Sequence, residues 1–518
     1  MGFIANPRQT WNIVTSDRYV GLDDHRALIV AQIAASGTTA TAGTLVRDLP
    51  RSDADLAEIM GGGSHAFMIA QGFRSINKVT NLDLLALPDG SGGGAAAATA
   101  SIAFAGTATR DVTVSLDVVS RERHSYELNI VTGDDPADVL GKIADAIAGD
   151  RYMPFARSDN TTDTTTFTAN NKGTHANTWL LALRGVVPGM TATITAWHGG
   201  AVNPSLTTAL DLIANIRYQT IVWPEAYTAA TVKALLEARK NVTNDVMDGR
   251  AFLYSSTAFG TVKAAASALN SSEVVLLNNL PNTLADWKGP HLPEAPDVIA
   301  AKFAAARALR FEDGQSISPI VVTNAPNDQF GGIHTASLPL FNTPLTGVGM
   351  PINGSGHGIE DQMELEQSGV SVIGANRENN AVIAGVIVTT YLNDAAGNAD
   401  DTWKYLEWRD THGVIREYMQ RNCQKRFRQH RMTVGDAVPG FSIINEDSVR
   451  SFILLLNDQL ADKAITVAGT RARQYLDANL TIVAKPALRR FEIACKILMI
   501  SQFGEAIASL KYAFDYTE

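Results

Sequence analysis

Between Ser205 and Phe311 the chain repeats one pattern. Short unbroken apolar runs, Thr220 to Trp223, Ala251 to Ser255 and Val274 to Leu277, alternate with helical stretches. An apolar run without alternation needs cover on both faces, so the pattern predicts a parallel sheet clothed by crossover helices, an α/β arrangement. The expected helices are Leu206 to Tyr218, Thr228 to Lys240, Ala258 to Leu269 and Pro296 to Phe311. Upstream, Ala27 to Ile33 reads as a buried strand. Helical stretches follow at Asp53 to Met60 and Ser64 to Asn77, with Ser64 as an N-cap, and then a strand at Leu82 to Leu87.

From Gly90 to Pro204 the texture changes to period-two strands. Val112, Val114, Leu116 and Val118 alternate with polar residues, and Tyr126, Leu128 and Ile130 repeat the pattern. One helix interrupts them, signalled by Asp135 before Pro136, a stripe of Val139, Ile143 and Ile147, and Gly149 as its stop. Residues Ile317 to Glu378 read as loop-rich. A strand at Ala381 to Tyr391, a long helix from Thr402 to about Met432, a helix at Glu446 to Leu460, and strands at Leu480 to Lys485 and Arg490 to Ile497 complete the body. The chain thus divides into an N-terminal arm (1–24), a first core part (25–89), a β-rich insert (90–204), an α/β domain (205–380), a C-terminal core domain (381–504) and a C-terminal arm (505–518). In this α/β (α+β multidomain) plan, 518 residues are too many for one core.

Composition narrows the function. Lys and Arg number 43 against 53 Asp and Glu, a net charge of −10, which lacks the basic footprint of broad nucleic-acid or anionic-lipid binding. Cys423 and Cys495 have neither disulfide-framework nor metal spacing and are expected as buried small apolar residues. No secretion leader is expected at MGFIANPRQTWNIV. The longest uncharged stretch, Gly90 to Thr109, is too poor in large apolar side chains to span a membrane.

Catalytic motifs are scarce. Ser355, His357 and Asp361 lie close together in GSGHGIED, but triads draw on residues distant in sequence and no G-x-S-x-G elbow frames this serine. A Gly-rich polar loop is the better reading, with a soluble α/β hydrolase as the distant rival. Gly61-Gly62-Gly63 lacks a following Lys-Ser/Thr, and Gly141-Lys142 lies inside a helix, so neither is a nucleotide loop. No cofactor and no metal are expected.

The strongest local charge signal is the basic run Lys425, Arg426, Arg428 and Arg431 around Phe427. Trp408, His412, Ile415, Met419, Cys423 and Phe427 recur at helical spacing, which places Phe427 on a packed face and the cations opposite. In an acidic protein that basic face is better suited to carboxylates of another subunit than to nucleic acid. Both ends carry strand-like pieces. Trp11 and Ile13 lie in one, and Leu510, Tyr512, Phe514 and Tyr516 alternate with smaller or polar residues in the other. Such strands pair either within their own chain or with a sheet edge elsewhere.

Three segments in succession resemble the contractile tail sheath proteins of Mu-like myophages. Asp23 to Asn77 is similar to that family's opening strand, small-residue turn and Gly-x-Gly-Ser helix start. Val386 to Gln420, with Thr389-Thr390-Tyr391, Ala396-Gly397, Asp401 and Tyr405, resembles its strand, turn and long helix. Leu480 to Glu518 resembles its closing pair of strands and final arm.

The resemblance implies a non-enzymatic structural subunit of a phage virion tail, assembled in the host cytoplasm. It implies partnership with other copies in hexameric rings and a helical polymer, with a tail tube protein, and with baseplate and tail terminator proteins, without direct nucleic-acid contact or membrane insertion. The β-rich insert would face outward. Trp11, Ile13, Leu510, Tyr512, Phe514 and Tyr516 would lie in intersubunit arms, with Phe491, Ile493, Cys495 and Ile497 in the acceptor strand. Lys425, Arg426, Arg428 and Arg431 would touch the tube or a neighbour. The sheath of a headless, phage-tail-like bacteriocin particle fits the same residues.

Overall fold

The computed structural model describes residues 9–14, 25–120, 123–159, 163–240, 247–278, 294–312, 340, 343–349, 357–376, 381–427, 429–436, 442–462, 465–485, 487 and 490–499. Strand β1 (Gln9–Val14) precedes β2 (Arg26–Gln32) and the short β3 (Thr44–Val46). Helix α1 (Asp53–Met60) begins at Ser52, whose side chain accepts from the Asp55 amide, and stops at Gly61. Gly61 sits at φ +82°, and a Cβ there would lie 2.4 Å from the Ala34 side chain, so only glycine fits. Helix α2 (His65–Ile76) starts where expected, with Ser64 Oγ accepting from the Phe67 amide, and leads to β4 (Asn81–Leu87).

The insert contains β5 (Ala97–Gly106), β6 (Val112–Val119), β7 (Ser125–Ile130), α3 (Pro136–Ile147), β8 (Phe155–Asp159), β9 (Thr164–Lys172), β10 (Leu180–Arg184) and β11 (Met190–His198). Its two antiparallel sheets, ordered β10-β6-β7 and β11-β5-β9-β8, enclose Ile102, Phe104, Leu116, Val118, Leu128 and Phe167. Val139, Ile143 and Ile147 of α3 close that core, and Asp135 makes the expected cap. Entry and exit run side by side. Ala96 bridges Ala201, and a Cβ on Gly90 would lie 1.8 Å from the Val202 carbonyl oxygen. That adjacency lets one domain be spliced into another with little disturbance.

After the insert come α4 (Thr207–Asp211), β12 (Thr220–Val222), α5 (Ala229–Lys240), β13 (Arg250–Tyr254), α6 (Phe259–Leu269), β14 (Val274–Asn278), α7 (Pro296–Glu312), α8 (Ile359–Gln367), β15 (Val370–Ala375) and β16 (Ala381–Ile383). Among the described residues they join the pre-insert strands in one eight-stranded sheet, β16-β15-β14-β13-β12-β2-β4-β3, parallel except at its two edge strands. The sequence segments 25–89 and 205–380 therefore share a single sheet. Ala27, Ile29 and Ala31 of β2 pack with α2 and α7, whereas Leu28 and Val30 pack on the other side with Val232 of α5, Val262 of α6 and Leu365 of α8. Cover on both faces is the reason the strands read as continuous apolar runs.

Three expectations need correction. The helix Leu206 to Tyr218 shrinks to α4, because beyond it the backbone tightens into i→i−3 bonds such as Ile216 N to Ile213 O (3.1 Å). The loop-rich stretch Ile317 to Glu378 contains α8 and β15. The strand Ala381 to Tyr391 ends at Ile383. Gly385 turns the chain at φ +60°, and the Glu366 carboxylate occupies the space a Cβ would need.

The C-terminal unit comprises α9 (Leu406–Phe427), β17 (Arg431–Met432), β18 (Ile443–Ile444), α10 (Glu446–Asp462), α11 (Thr470–Ala478), β19 (Thr481–Lys485) and β20 (Arg490–Cys495). Its core joins Ile415, Met419, Cys423 and Phe427 of α9 to Val449, Ile453 and Leu456 of α10 and to Phe491, Ile493 and Cys495 of β20. Both cysteines are free and buried, and burial pushes both thiols up.

Candidate functional site

The C-terminal unit presents a terminal strand, a basic helix end and a buried ionic joint. β1 lies antiparallel to β20, with Trp11 opposite Ile493 and Ile13 opposite Phe491, and β20 lies between β1 and β19. The pairing is within this one chain. Phe491, Ile493, Cys495 and Ile497 all face the core, so β20 is braced on one face while its edges take strands. Among the described residues β19 has a partner on one side only. Leu510, Tyr512, Phe514 and Tyr516 lie outside the described residues.

Lys425 and Arg426 are exposed in the last turn of α9, where cations also favour the helix dipole. Arg431 is exposed in β17, and Arg428 lies outside the described residues. Phe427 is buried against Phe452 in an edge-on contact at 5.2 Å, which separates it from the cations around it. Trp408, expected on the packed face, is only half-buried.

The first half of α9 carries a site that sequence reasoning missed. Arg409, Asp410 and Arg416 look like a solvated face but are buried, beside the His412 expected on the packed face, at the amino-terminal ends of the parallel strands. Arg409 Nη2 donates to Glu273 Oε1 (2.9 Å), and Arg250 binds the second oxygen of the same carboxylate. Arg307 grips Asp410 with Nε (3.1 Å) and Nη2 (2.7 Å), and its Nη1 donates to Thr220 Oγ1 (2.7 Å). Arg217 spans Glu417 (2.6 Å) and Asp248 (3.1 Å). Burial acts against ionised Asp248, yet Arg217, Arg250, Arg409 and Arg416 together hold its carboxyl well below the usual range. Burial, aided by Arg409, keeps His412 well below an ordinary imidazole. Gly413 admits the approach, since a Cβ there would meet Asp248 Oδ2 at 2.8 Å. That glycine amid charges was the one available signal in the sequence.

Open parallel sheets bind ligands outside the carboxyl ends of their strands. Here the root of the insert fills that position. Asn171 Nδ2 donates to Ile33 O and Asp89 Oδ1, each at 2.8 Å, and Gln32 Nε2 reaches Lys172 O at 2.7 Å. His65 is held by Asp297 (2.7 Å) and stacks on His175 of the insert at 4.3 Å. Glu225 accepts from Ser256 Oγ (2.8 Å), and burial pushes its carboxyl up to about 7. Of these groups, Asn171, Lys172 and His175 fasten the insert to the sheet domain, while the Glu225–Ser256 bond lies within the latter.

The two described members of the hydrolase rival's triad are engaged elsewhere. His357 Nε2 bonds Asn278 Oδ1 (2.8 Å), and Asp361 caps α8 by accepting from Gly358 N (3.3 Å). Ser355 lies outside the described residues. Among those residues no group of three His, Cys, Asp or Glu side chains is placed to hold a metal ion, and no helix is long and apolar enough to cross a membrane.

Strand pairing, interlocked cores and a buried ionic joint are the described features of this unit, and each of them serves cohesion. The chain is similar along most of its length to a phage-type tail sheath protein. The Mu-like prophage FluMu tail sheath protein of Haemophilus influenzae is 25% identical over 450 residues, which cover 84% of this chain and 82% of that protein. No protein-family model matches. Among solved structures, a sheath tail protein of Desulfitobacterium hafniense aligns at TM-score 0.45 and 12% identity, covering 93% of this chain and 98% of that one. One from Listeria innocua aligns at TM-score 0.46 and 12% identity, covering 93% and 94%. Superposition at that level is loose and fixes neither fold nor function. Structural work in a tail, not catalysis, is the class of function that the Haemophilus relative carries.

Proposed function

We propose that the chain is the subunit of a contractile phage tail sheath. Copies polymerise as stacked hexameric rings around a tail tube, and contraction from a metastable extended state drives the tube through the host envelope. The observation that supports this best is the likeness to the FluMu tail sheath protein over 84% of the chain. The strand layout is compatible with it. A strand held by backbone hydrogen bonds can swing on its tether without detaching, so subunits can reorient while they stay linked. The energy would come from relaxation of a kinetically trapped packing, with no nucleotide hydrolysis.

In this reading Trp11 and Ile13, together with Leu510, Tyr512, Phe514 and Tyr516, sit in arms that link subunits, and β20 with its Phe491, Ile493, Cys495 and Ile497 is the acceptor. Lys425, Arg426, Arg428 and Arg431 meet the tube or a neighbouring subunit, and baseplate and terminator proteins close the polymer's ends. Negative-stain imaging of the purified chain should show striated tubes. Deleting Ser509 to Glu518 should leave a folded monomer by circular dichroism. Normal sheath from that truncation would overturn the role of the arm.

A further inference from the structure

Helix α8 is anchored to the sheet by one face only. Leu365 is buried with Val370 and Val372, whereas Ile359 and Met363, one turn apart on the outer face, are 78% and 55% exposed. Exposed carboxylates surround them, namely Glu360, Asp361 and Glu364. Single exposed apolar residues mean little, but a pair at i and i+4 inside an acidic rim forms a small docking ridge. The far end of α9 has the opposite character. Lys425, Arg426 and Arg431 are exposed there, and Val434 beside them is 75% exposed. Both patches are open in the same chain, so neither covers the other.

We infer that the acidic ridge of α8 docks on the basic end of α9 of a second copy. This deepens the sheath reading and rests on it. Pairing α8 with α8 across a two-fold axis would set carboxylates against carboxylates, which disfavours that arrangement. Contact between two different patches leaves one of each free on every dimer, so the contact repeats without closing, as a filament requires. It also gives the basic run a protein partner in a chain of net charge −10.

Charge reversal tests the contact. Glu360→Lys with Glu364→Lys makes both patches basic, and Lys425→Glu with Arg426→Glu makes both acidic. Among the described residues the Glu364 side chain pairs with Lys263 at the surface, so its loss should scarcely touch stability, and the melting temperature of each variant checks this. Each variant alone should form polymer, read by sedimentation and negative stain, at a level lowered about tenfold or more. An equal mixture of the two should recover most of the loss, because each supplies the patch the other lacks. A third variant, Ile359→Ser with Met363→Ser, should lower polymer yield without changing charge. Full polymerisation of either reversal alone, or a mixture as defective as its components, would overturn the contact while leaving the sheath reading intact. Binding of the acidic ridge to isolated tail tube in place of a second copy would overturn it as well. Wild-type chain that never polymerises would overturn the sheath reading and the contact together.

Discussion

At the residue scale, Gly413 decides how α9 meets the sheet. Its missing side chain brings the helix against Asp248, which is itself held by Arg217 and cannot easily yield. Replacing Gly413 by Ala should destabilise the protein by about 1–3 kcal/mol through overpacking, seen as a lower midpoint in urea. The helix-propensity gain of about 1 kcal/mol that alanine normally brings would be outweighed. Glu273 shows why the joint is so specific. It is fully buried and accepts from Arg250 and Arg409 at once, so a partial rearrangement would take a charged partner from two buried cations. Little of this was legible, because Arg409, Asp410 and Arg416 carry the same letters as solvated surface. By contrast the caps Ser64 and Asp135 were legible, since capping depends only on neighbours in sequence.

At the element scale, strands β2, β13 and β14 and helices α2, α3 and α6 lie where periodicity placed them, each having a continuous apolar run or stripe. Helix α8 escaped notice because its sequence IEDQMELEQ is acidic and only one face is covered. Helix α9 ends at Phe427, short of the Met432 expected. It joins two environments: its first half is ionic against the sheet and its second half apolar against α10 and β20. Strand β1 supplies the prediction at this scale. Removing residues 1–14 would uncover one edge of β20 but leave its buried face packed. The truncated chain should keep nearly all its helical circular dichroism and lose the ability to form polymer. Tubes of normal appearance from it would show that the N-terminal strand does not link subunits.

At the scale of the whole molecule, His25, His175 and His412 contribute to the response to acid. His25 lies where the N-terminal part of the sheet meets β12, His175 in the insert, and His412 in α9. Burial holds all three well below an ordinary histidine. A depressed imidazole stays neutral in the fold while the unfolded chain takes up protons, so the contribution of these three groups should be full above about pH 7 and be lost as pH falls below about 6.5. Glu225, Glu366 and Glu407 act in the opposite sense. Burial pushes each up to about 7, so their contribution favours the fold at low pH and is lost as pH rises through that value. His175→Phe keeps an aromatic ring on His65 and removes one titrating group. Its loss of stability between about pH 8 and about pH 5.5 should be smaller than wild type by about 1 kcal/mol or more, and an equal loss would refute the assignment. Two things were legible in the sequence alone: that the segment after Ser205 builds strands of a parallel sheet covered on both faces, and that residues 90–204 form a β-rich unit of a different texture. Periodicity and caps are local, and they survive without knowledge of the partner. The tertiary structure decided that segments on either side of the insert form one sheet, that the insert's root fills the usual ligand crevice, and that charged residues of α9 are buried. Those outcomes depend on which distant groups meet, and a carboxylate beside an arginine in space leaves no mark on the order of letters in the chain.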